Sequence, residues 1–152
     1  MNPENEQAAQ DLSMMKEALR EAHKAIQEDE VPVGAIVVWN GKIIGRGHNL
    51  TEKLNDVTAH AEMQAITAAS NYLGGKYLTE CSLYVSLEPC LMCAGAIGWA
   101  RPARLIIGAS DPKKGYSLWG RDMLHPKTLV INGILEQECS TLITEFFRKK
   151  RQ

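Results

Sequence analysis

The sequence predicts an α/β domain with three layers, α-β-α, in which one central mixed sheet lies between helices. Segments with helical periodicity alternate with short apolar runs in the order α-β-β-α-β-α-β-(β)-α, and this alternation is typical of layered α/β domains. One of the runs, "ARLIIGA", suits a strand that is buried on both faces of its sheet. We therefore expect helices to cover both sides of the sheet.

The first part of the chain predicts a helix followed by a hairpin. Residues 11–27, "DLSMMKEALREAHKAIQ", form the predicted helix because apolar side chains recur there at spacings of three or four residues (Leu12, Met15, Leu19, Ala22 and Ile26). Residues 1–11 are polar and acidic, and we expect them to be a flexible N-terminal segment. Next, "VPVGAIVVWNGKIIGRGHN" predicts two strands joined at Asn40-Gly41, a strong signal for a two-residue hairpin turn.

The remaining elements alternate between helix and strand. After a polar loop, "AHAEMQAITAASNYLGG" predicts a helix that ends at a glycine pair. The strand "CSLYVSL" is followed by the predicted helix "PCLMCAGAIGWA", with Pro89 in its first turn. Beyond "ARLIIGA", residues 110–127 form a loop, "TLVING" predicts a short edge strand, and "ILEQECSTLITEFFRKKRQ" predicts the closing helix.

Length and charge limit the possible functions. The chain has 152 residues, and we expect residues 1–152 to form a single domain. Its apolar runs are too short to cross a bilayer and its N-terminus does not resemble a secretory signal, so we expect no membrane association and a cytoplasmic location. The net charge of −1 gives no overall basic surface for nucleic acid, although local basic clusters remain.

Metal-binding side chains collect at two predicted helix starts, "AHAE" at 59–62 and "PCLMC" at 89–93. Cys90 and Cys93 are three residues apart, so both sulfurs lie on one helical face, and a helix N-terminus favours the thiolate form. His60 is the metal-binding side chain at the other helix start. This set fits Zn²⁺, one ion per chain, with the fourth tetrahedral position left for water.

Other interpretations of the two cysteines remain open at this point: a redox pair, inert core residues, or a closed structural zinc site. A closed site needs a fourth protein ligand. We expect Cys81 at the far end of its strand and Cys139 in the core-facing stripe of the last helix, which leaves His48 as the nearest candidate.

Glu62 lies two residues after His60 and is placed to act on a water at an open zinc site. Such a zinc ion lowers the pKa of its water towards ~7. A carboxylate beside that water can take its proton and pass it on. These roles suit hydrolysis at an sp² carbon that bears an amine, with release of ammonia.

The spacing of "HAE" and "PCLMC" resembles the H-x-E…P-C-x-x-C signature of the zinc-dependent cytidine and nucleobase deaminases. The stretches "EVPVGAIVV", "GRGHN", "TAHAEMQAI", "LYVSLEPCLMCAGAI" and "EFFRKKRQ" are similar to the bacterial tRNA adenosine deaminases, which convert the wobble adenosine of an anticodon to inosine. The resemblance covers roughly residues 13–151. It implies a cytidine-deaminase-like domain with His60, Cys90 and Cys93 as zinc ligands and Glu62 as the proton shuttle.

The same resemblance implies the residues that bind the substrate. Asn49 is similar to the asparagine that hydrogen-bonds the base or its sugar in this family, and the backbone amide of Ala61 to the donor that reads the base edge. Val31 and Pro32 are expected in the pocket wall. Members of the family are commonly homodimers, with the interface formed by the helices and loops that follow the P-C-x-x-C region.

One segment, "DPKKGYSLWGRDMLHPKTLVING", departs from the family pattern. "GWARP" and "LGGKYL" are similar instead to guanine and cytosine deaminases, so a free nucleobase is an alternative to the tRNA anticodon loop as substrate. A third interpretation is a non-catalytic scaffold for nucleic-acid binding or dimerisation that keeps zinc only for stability. A basic and aromatic set could supply phosphate contacts and base stacking: Lys113, Lys114, Arg121, Lys127, the tail Arg148–Arg151, Tyr116 and Trp119. Tyr116 and Trp119 suit packing at a dimer interface equally well, and the tail also suits a solvated helix end.

Overall fold

The structure is a computed structural model and describes residues 2–152. Its strands are β1 (Gly34–Trp39), β2 (Lys42–His48), β3 (Ser82–Leu87), β4 (Arg104–Ala109) and β5 (Leu129–Ile131). Its α-helices are α1 (Pro3–Gln27), α2 (Thr51–Leu54), α3 (Ala61–Leu73), α4 (Leu91–Ala100) and α5 (Glu136–Lys150), and a 3₁₀ turn spans Tyr116–Trp119.

The five strands form one mixed sheet with the order β2-β1-β3-β4-β5. The strand β1 is antiparallel to both β2 and β3, whereas β3, β4 and β5 run parallel. The β1–β2 turn has positive φ at both Asn40 and Gly41, which is the geometry of a type I′ hairpin. The predicted hairpin and the predicted short edge strand are therefore confirmed.

Helices cover both faces of the sheet. Ile36 of β1 and Tyr84 of β3 pack on one face against Met15 of α1, and α5 covers the same face through Cys139. Alternate residues of the same strands, Val37, Leu83 and Val85, pack on the other face in one cluster with Ala65 of α3 and Ile97 of α4. The predicted three-layer α-β-α architecture with a central mixed sheet is confirmed.

Two glycines of β2 allow α3 to lie directly on the strand. A Cβ atom at Gly45 would lie 2.3 Å from the carbonyl oxygen of Ala65, and one at Gly47 would lie 2.3 Å from that of Ala61. Any larger residue at either position would push the helix away from the sheet. The two glycines thus fix the first turn of α3 close to the end of β2.

A buried ion pair joins α1 to the middle of the sheet. The Asp11 carboxylate accepts two hydrogen bonds from the Arg104 guanidinium, at 2.9 and 2.6 Å, and one from the Tyr84 hydroxyl at 2.6 Å. Burial acts to raise the pKa of Asp11, but the bonds from Arg104 and Tyr84 outweigh it, and the pKa lies below its ordinary value. Burial and the neighbouring Asp11 carboxylate raise the pKa of Tyr84.

Three helix boundaries differ from the sequence predictions. The segment 1–11, which we expected to be flexible, is helical from Pro3 onward; Met1 lies outside the described residues. The side chain of Asn2 caps the helix by accepting a hydrogen bond from the Glu4 amide, and Pro3 occupies the first turn. Pro89 lies before α4 and not in its first turn, because Cys90 is the N-cap. The polar loop after β2 contains the single turn α2, which was not predicted.

Among residues 2–152, we find no helix with the length and apolar character that crossing a bilayer requires.

Candidate metal centre

Two helix N-termini meet at the carboxyl end of β3. His60 is the N-cap of α3 and Cys90 is the N-cap of α4, and both residues have extended backbone angles that turn the chain into the helix. The first backbone N–H groups of each helix point towards this place and favour negative charge. The fold therefore brings together the two helix starts that the sequence singles out.

The side chains of His60, Cys90 and Cys93 converge with a spacing that suits one metal ion. The Nδ1 atom of His60 lies 3.4 Å from the Cys93 sulfur and 3.7 Å from the Cys90 sulfur, and the three donor atoms all lie within 4.8 Å of one another. Tetrahedral zinc, with bonds of about 2.3 Å to sulfur and about 2.05 Å to nitrogen, separates such donors by roughly 3.6 Å. The donor set and its spacing thus fit zinc.

The ionisation of the three side chains is linked. Hydrogen bonds from the Cys93 thiol and the His60 imidazole lower the pKa of Cys90 to about 3. The bond to Cys90 in turn raises the pKa of Cys93, and the Cys90 sulfur raises the pKa of His60. Sulfur and nitrogen atoms bind a metal ion only when they carry no proton. A metal ion that binds between these three side chains would therefore replace the protons that they share.

Glu62 lies in the first turn of α3, beside the three donors, and only 4% of the residue is exposed. Burial raises the pKa of its carboxyl to about 7, although its own backbone amide, His60 and the Cys93 thiol act to lower the pKa. A buried carboxyl group next to a metal-binding set is well placed to exchange protons with a ligand held there.

The remaining histidine and cysteine candidates lie elsewhere. The His48 ring nitrogens face the carboxylates of Glu21, at 3.4 Å, and Glu28, at 3.5 Å. Cys81 and Cys139 are buried in the two core layers. Within residues 2–152, the set of His60, Cys90 and Cys93 is the only cluster of three or more possible ligands, so the structure supplies no fourth protein ligand for a closed site.

The metal-binding set lies at a pocket of about 270 Å³. The lining residues come from the segment before β1, the segment from the end of β2 to the start of α3, the end of β3 and the start of α4, and the loop after β4: Val31, Val33, Asn49, Thr51, His60, Ala61, Glu62, Leu87, Glu88, Cys90, Asp111 and Lys114. Val31, Asn49 and Ala61, for which the resemblance implies contact with the substrate, are among these lining residues, and that contact stays a prediction. Pro32 does not line the pocket and is buried, because alternate residues of an extended segment point to opposite sides and Val33 takes the second wall position.

Asn49 and Ala61 offer polar groups to the pocket from fixed positions. The Asn49 side-chain oxygen accepts from the Thr51 amide at 3.3 Å, and its backbone amide donates to Val33, so the Nδ2 group remains for a ligand. Ala61 is the first residue of α3, where backbone N–H groups have no partner within the helix.

Gln64 holds the turn that carries the histidine. Its side-chain amide donates to the carbonyl oxygen of His48 at 2.6 Å, and the carbonyls of Ala59 and His60 lie 3.3 and 3.4 Å from the same nitrogen. One side chain thus ties the end of β2 to the start of α3.

Sequence reasoning missed five of the residues that line the pocket: Val33, Thr51, Leu87, Glu88 and Asp111. Glu88 directly precedes the Pro89-Cys90 pair, and this neighbourhood was the only signal in the sequence. Lys114 was expected to contact phosphate and lies at the pocket. Of the two aromatic residues for which base stacking and interface packing were both open, Tyr116 is buried against the α3–α4 core layer, where it cannot stack on a base, whereas Trp119 is exposed.

Comparison with known proteins gives a consistent result. Residues 8–109 match the family model described as the cytidine and deoxycytidylate deaminase zinc-binding region. A tRNA-specific adenosine deaminase of Bacillus subtilis (strain 168) is 45% identical over 148 residues, which cover 94% of this chain and 92% of the relative.

Two solved structures share the fold. One comes from a study of A-to-I editing by tRNA:A34 deaminases at the wobble position of transfer RNA; it has a TM-score of 0.78 and 44% identity, and the match covers 84% of this chain and 96% of that chain. The other, a guanine deaminase from Nitrosomonas europaea, has a TM-score of 0.77 and 26% identity, covering 87% of this chain and 81% of that one.

Proposed function

Because the chain belongs to the family defined by the cytidine and deoxycytidylate deaminase zinc-binding region, we propose that it is a zinc-dependent hydrolytic deaminase that converts adenosine to inosine at the wobble position of a tRNA anticodon. The observation that carries this proposal is the convergence of His60, Cys90, Cys93 and the buried Glu62 at one pocket. Family membership confirms the predictions of a hydrolytic deaminase and of zinc as its cofactor.

His60, Cys90 and Cys93 would hold the zinc ion, one per chain. When bound, zinc supplies the Lewis acidity that makes water a nucleophile near neutral pH. Glu62 accepts the proton of the attacking water and returns a proton to the amino nitrogen, which leaves as ammonia. The first turn of α3 holds the buried carboxyl group in place.

The pocket also supplies groups for a purine base. The Asn49 amide and the Ala61 backbone N–H are donors, and the ring nitrogens of adenine are acceptors. Val31 and Val33 provide apolar contact with the ring. Only a nucleotide turned out of its stack reaches such a pocket, and the unpaired bases of an anticodon loop need little energy to turn out.

Polymer contacts are supported by charge near the pocket and by the relatives. Lys114 lines the pocket and is exposed, so its ammonium group can reach a phosphate beside the bound nucleotide. The identity of 45% with a tRNA-specific adenosine deaminase extends over 94% of the chain and includes the segment that departs from the family pattern. A tRNA substrate also supports a cytoplasmic location.

We further propose that residues 1–152 form a single deaminase domain that assembles as a homodimer through α4. Leu91, Gly95 and Trp99 lie on one face of this helix; Trp99 is 76% exposed, and a Cβ atom added at Gly95 would meet open space. Leu118 and Trp119 add further exposed apolar surface in the neighbouring segment. A second copy of the chain would cover this surface.

A substrate panel tests the reaction. Purified zinc-loaded protein is incubated with an anticodon stem-loop containing a wobble adenosine, with free guanine and with free cytosine, and ammonia and inosine are measured. We expect inosine in the stem-loop and no turnover of the free bases. Turnover of guanine or cytosine with an unchanged stem-loop would refute the tRNA substrate.

Glu62→Ala separates an enzyme from a scaffold that uses zinc only for stability. We expect the rate to fall by at least ~10²-fold while zinc content stays near one per chain, because the variant loses the proton-transfer group and keeps the ligands. Glu138 is an exposed carboxylate on α5, and Glu138→Ala is the matched control that should keep full activity. Equal rates for Glu62→Ala and the control would show that Glu62 is not the shuttle.

A further inference from the structure

Glu88 is a buried carboxylate at the pocket that the proposed reaction does not use. It lies between β3 and the zinc-binding turn, by which we mean residues 89–93 with the proposed ligands Cys90 and Cys93. Only 7% of Glu88 is exposed. Its backbone amide donates to the carbonyl oxygen of Ala109 at 2.8 Å, which joins the ends of β3 and β4. The side chain extends from this junction into the loop that follows β4.

Both carboxylate oxygens of Glu88 accept backbone hydrogen bonds from that loop. The amide of Asp111 donates to Oε1 at 3.1 Å, and the amide of Ser117 donates to Oε2 at 2.9 Å. Between them, a Cβ atom at Gly115 would lie 2.2 Å from Oε2, so the loop backbone passes the carboxylate too closely for any side chain. One carboxylate thus holds both ends of the segment 111–117.

The same segment is tied to the zinc-binding turn and is stiff in itself. The Tyr116 amide donates to the carbonyl oxygen of Pro89 at 2.9 Å. The Asp111 side chain accepts from the amides of Lys113 and Lys114, both at 3.1 Å, so the first part of the segment forms a closed turn. The position of this turn relative to Cys90 therefore depends on Glu88.

Asp111 and Lys114 line the pocket from this segment. We propose that Glu88 is a positioning residue, whose carboxylate fixes the segment 111–117 against the zinc-binding turn and thereby sets the pocket wall that contacts the bound nucleotide. The inference rests on the proposed function for the identity of that ligand. Glu88 thus affects the affinity for the substrate. It does not affect the proton transfer, which Glu62 performs.

Glu88→Gln tests the inference because it preserves size and replaces one acceptor oxygen by a donor. Three quantities are measured: zinc content, hydrogen exchange of the amides of residues 111 and 117, and the separate KM and kcat values for the stem-loop. We expect zinc near one per chain, faster exchange at both amides, and a KM that rises roughly 10-fold while kcat changes little, because the wall contacts the nucleotide equally in the ground and transition states.

Glu30→Gln is the matched control. Glu30 is also buried, and its two oxygens accept from the amides of Glu52 and Lys53 at 3.1 and 2.7 Å on the other side of the pocket. We expect the control to lose a similar amount of stability and to increase exchange at residues 52 and 53 while leaving residues 111 and 117 protected.

Gly115→Ala perturbs the same contact from the loop side and keeps the inference testable if Glu88→Gln does not fold. Because the added methyl group displaces the carboxylate, Gly115→Ala alone should speed exchange at residues 111 and 117 and raise KM, as Glu88→Gln does. Where both variants fold, their effects on KM should be strongly non-additive when combined. Unchanged exchange at residues 111 and 117, an unchanged KM, or full additivity of the two effects would each overturn the inference. If the wild-type protein deaminates only a free base, the proposed tRNA substrate fails, whereas the exchange and additivity results still decide the role of Glu88.

Discussion

Asp11→Ala should strongly destabilise the fold, because it removes one partner of the ion pair with Arg104 and leaves the other charge uncompensated. The side chains are 5% and 16% exposed, so the substitution leaves a guanidinium and the Tyr84 hydroxyl largely without partners. Removal of one member of a buried pair costs about 3–5 kcal/mol. Because Arg104 retains some access to water, we expect the lower end, about 3 kcal/mol, or a fall in Tm of roughly 6–12 °C for a chain of this length.

The loss is measured by urea unfolding at fixed zinc concentration, because a bound metal raises the apparent stability. Arg104→Met in the Asp11→Ala background removes the uncompensated charge and should recover part of the lost stability. A loss below about 1 kcal/mol for Asp11→Ala, or no recovery in the double variant, would refute the argument that the pair is desolvated.

The pair also predicts a pH dependence with a definite sign. The folded-state pKa of Asp11 lies below its unfolded value, because the bonds from Arg104 and Tyr84 outweigh burial. Its contribution to stability is therefore complete above the unfolded pKa of about 3.9 and is lost as the pH falls through the folded pKa. The stability difference between wild type and Asp11→Ala should be constant from pH 7 to about pH 5 and should shrink below about pH 4. A difference that grows on acidification would contradict this assignment.

Two further predictions concern the metal and the proposed dimer. Cys90→Ser should lower zinc content well below one per chain and lower Tm, because metal binding is coupled to folding; a folded, fully zinc-loaded variant would exclude Cys90 as a ligand. Trp99→Lys should convert a dimer to a monomer in light scattering while zinc content is unchanged, because it places a charge in the apolar α4 surface. Val57→Lys, at an exposed apolar residue outside α4, is its control, and a dimer that survives Trp99→Lys would rule out this interface.

The architecture and the metal-binding set could be predicted because both follow from local patterns. The Asn40-Gly41 pair specifies a hairpin through its own backbone angles. The spacing of Cys90 and Cys93 places both sulfurs at one helix start, and His60 lies at the only other helix start with a metal-binding side chain. These signals need no knowledge of distant contacts.

The pocket walls could not be predicted in the same way, because they depend on which side of the chain faces inward. Pro32 and Val33 differ by one position in an extended segment, and this difference decides which of them lines the pocket. The burial of Tyr116 and the role of Glu88 depend on how the loop after β4 folds back on the turn before Cys90. Such contacts join residues that are far apart along the chain and leave no periodic pattern.

The two glycines of β2 have a consequence for how this scaffold can diversify. Because Gly45 and Gly47 place main chain against main chain, the interval between strand and helix is independent of the surrounding side chains. A core side chain of a different size should therefore leave His60 in place opposite Cys90 and Cys93. The spacing between the strand and the helix that begins after His60 is thus set by two residues that have no side chain.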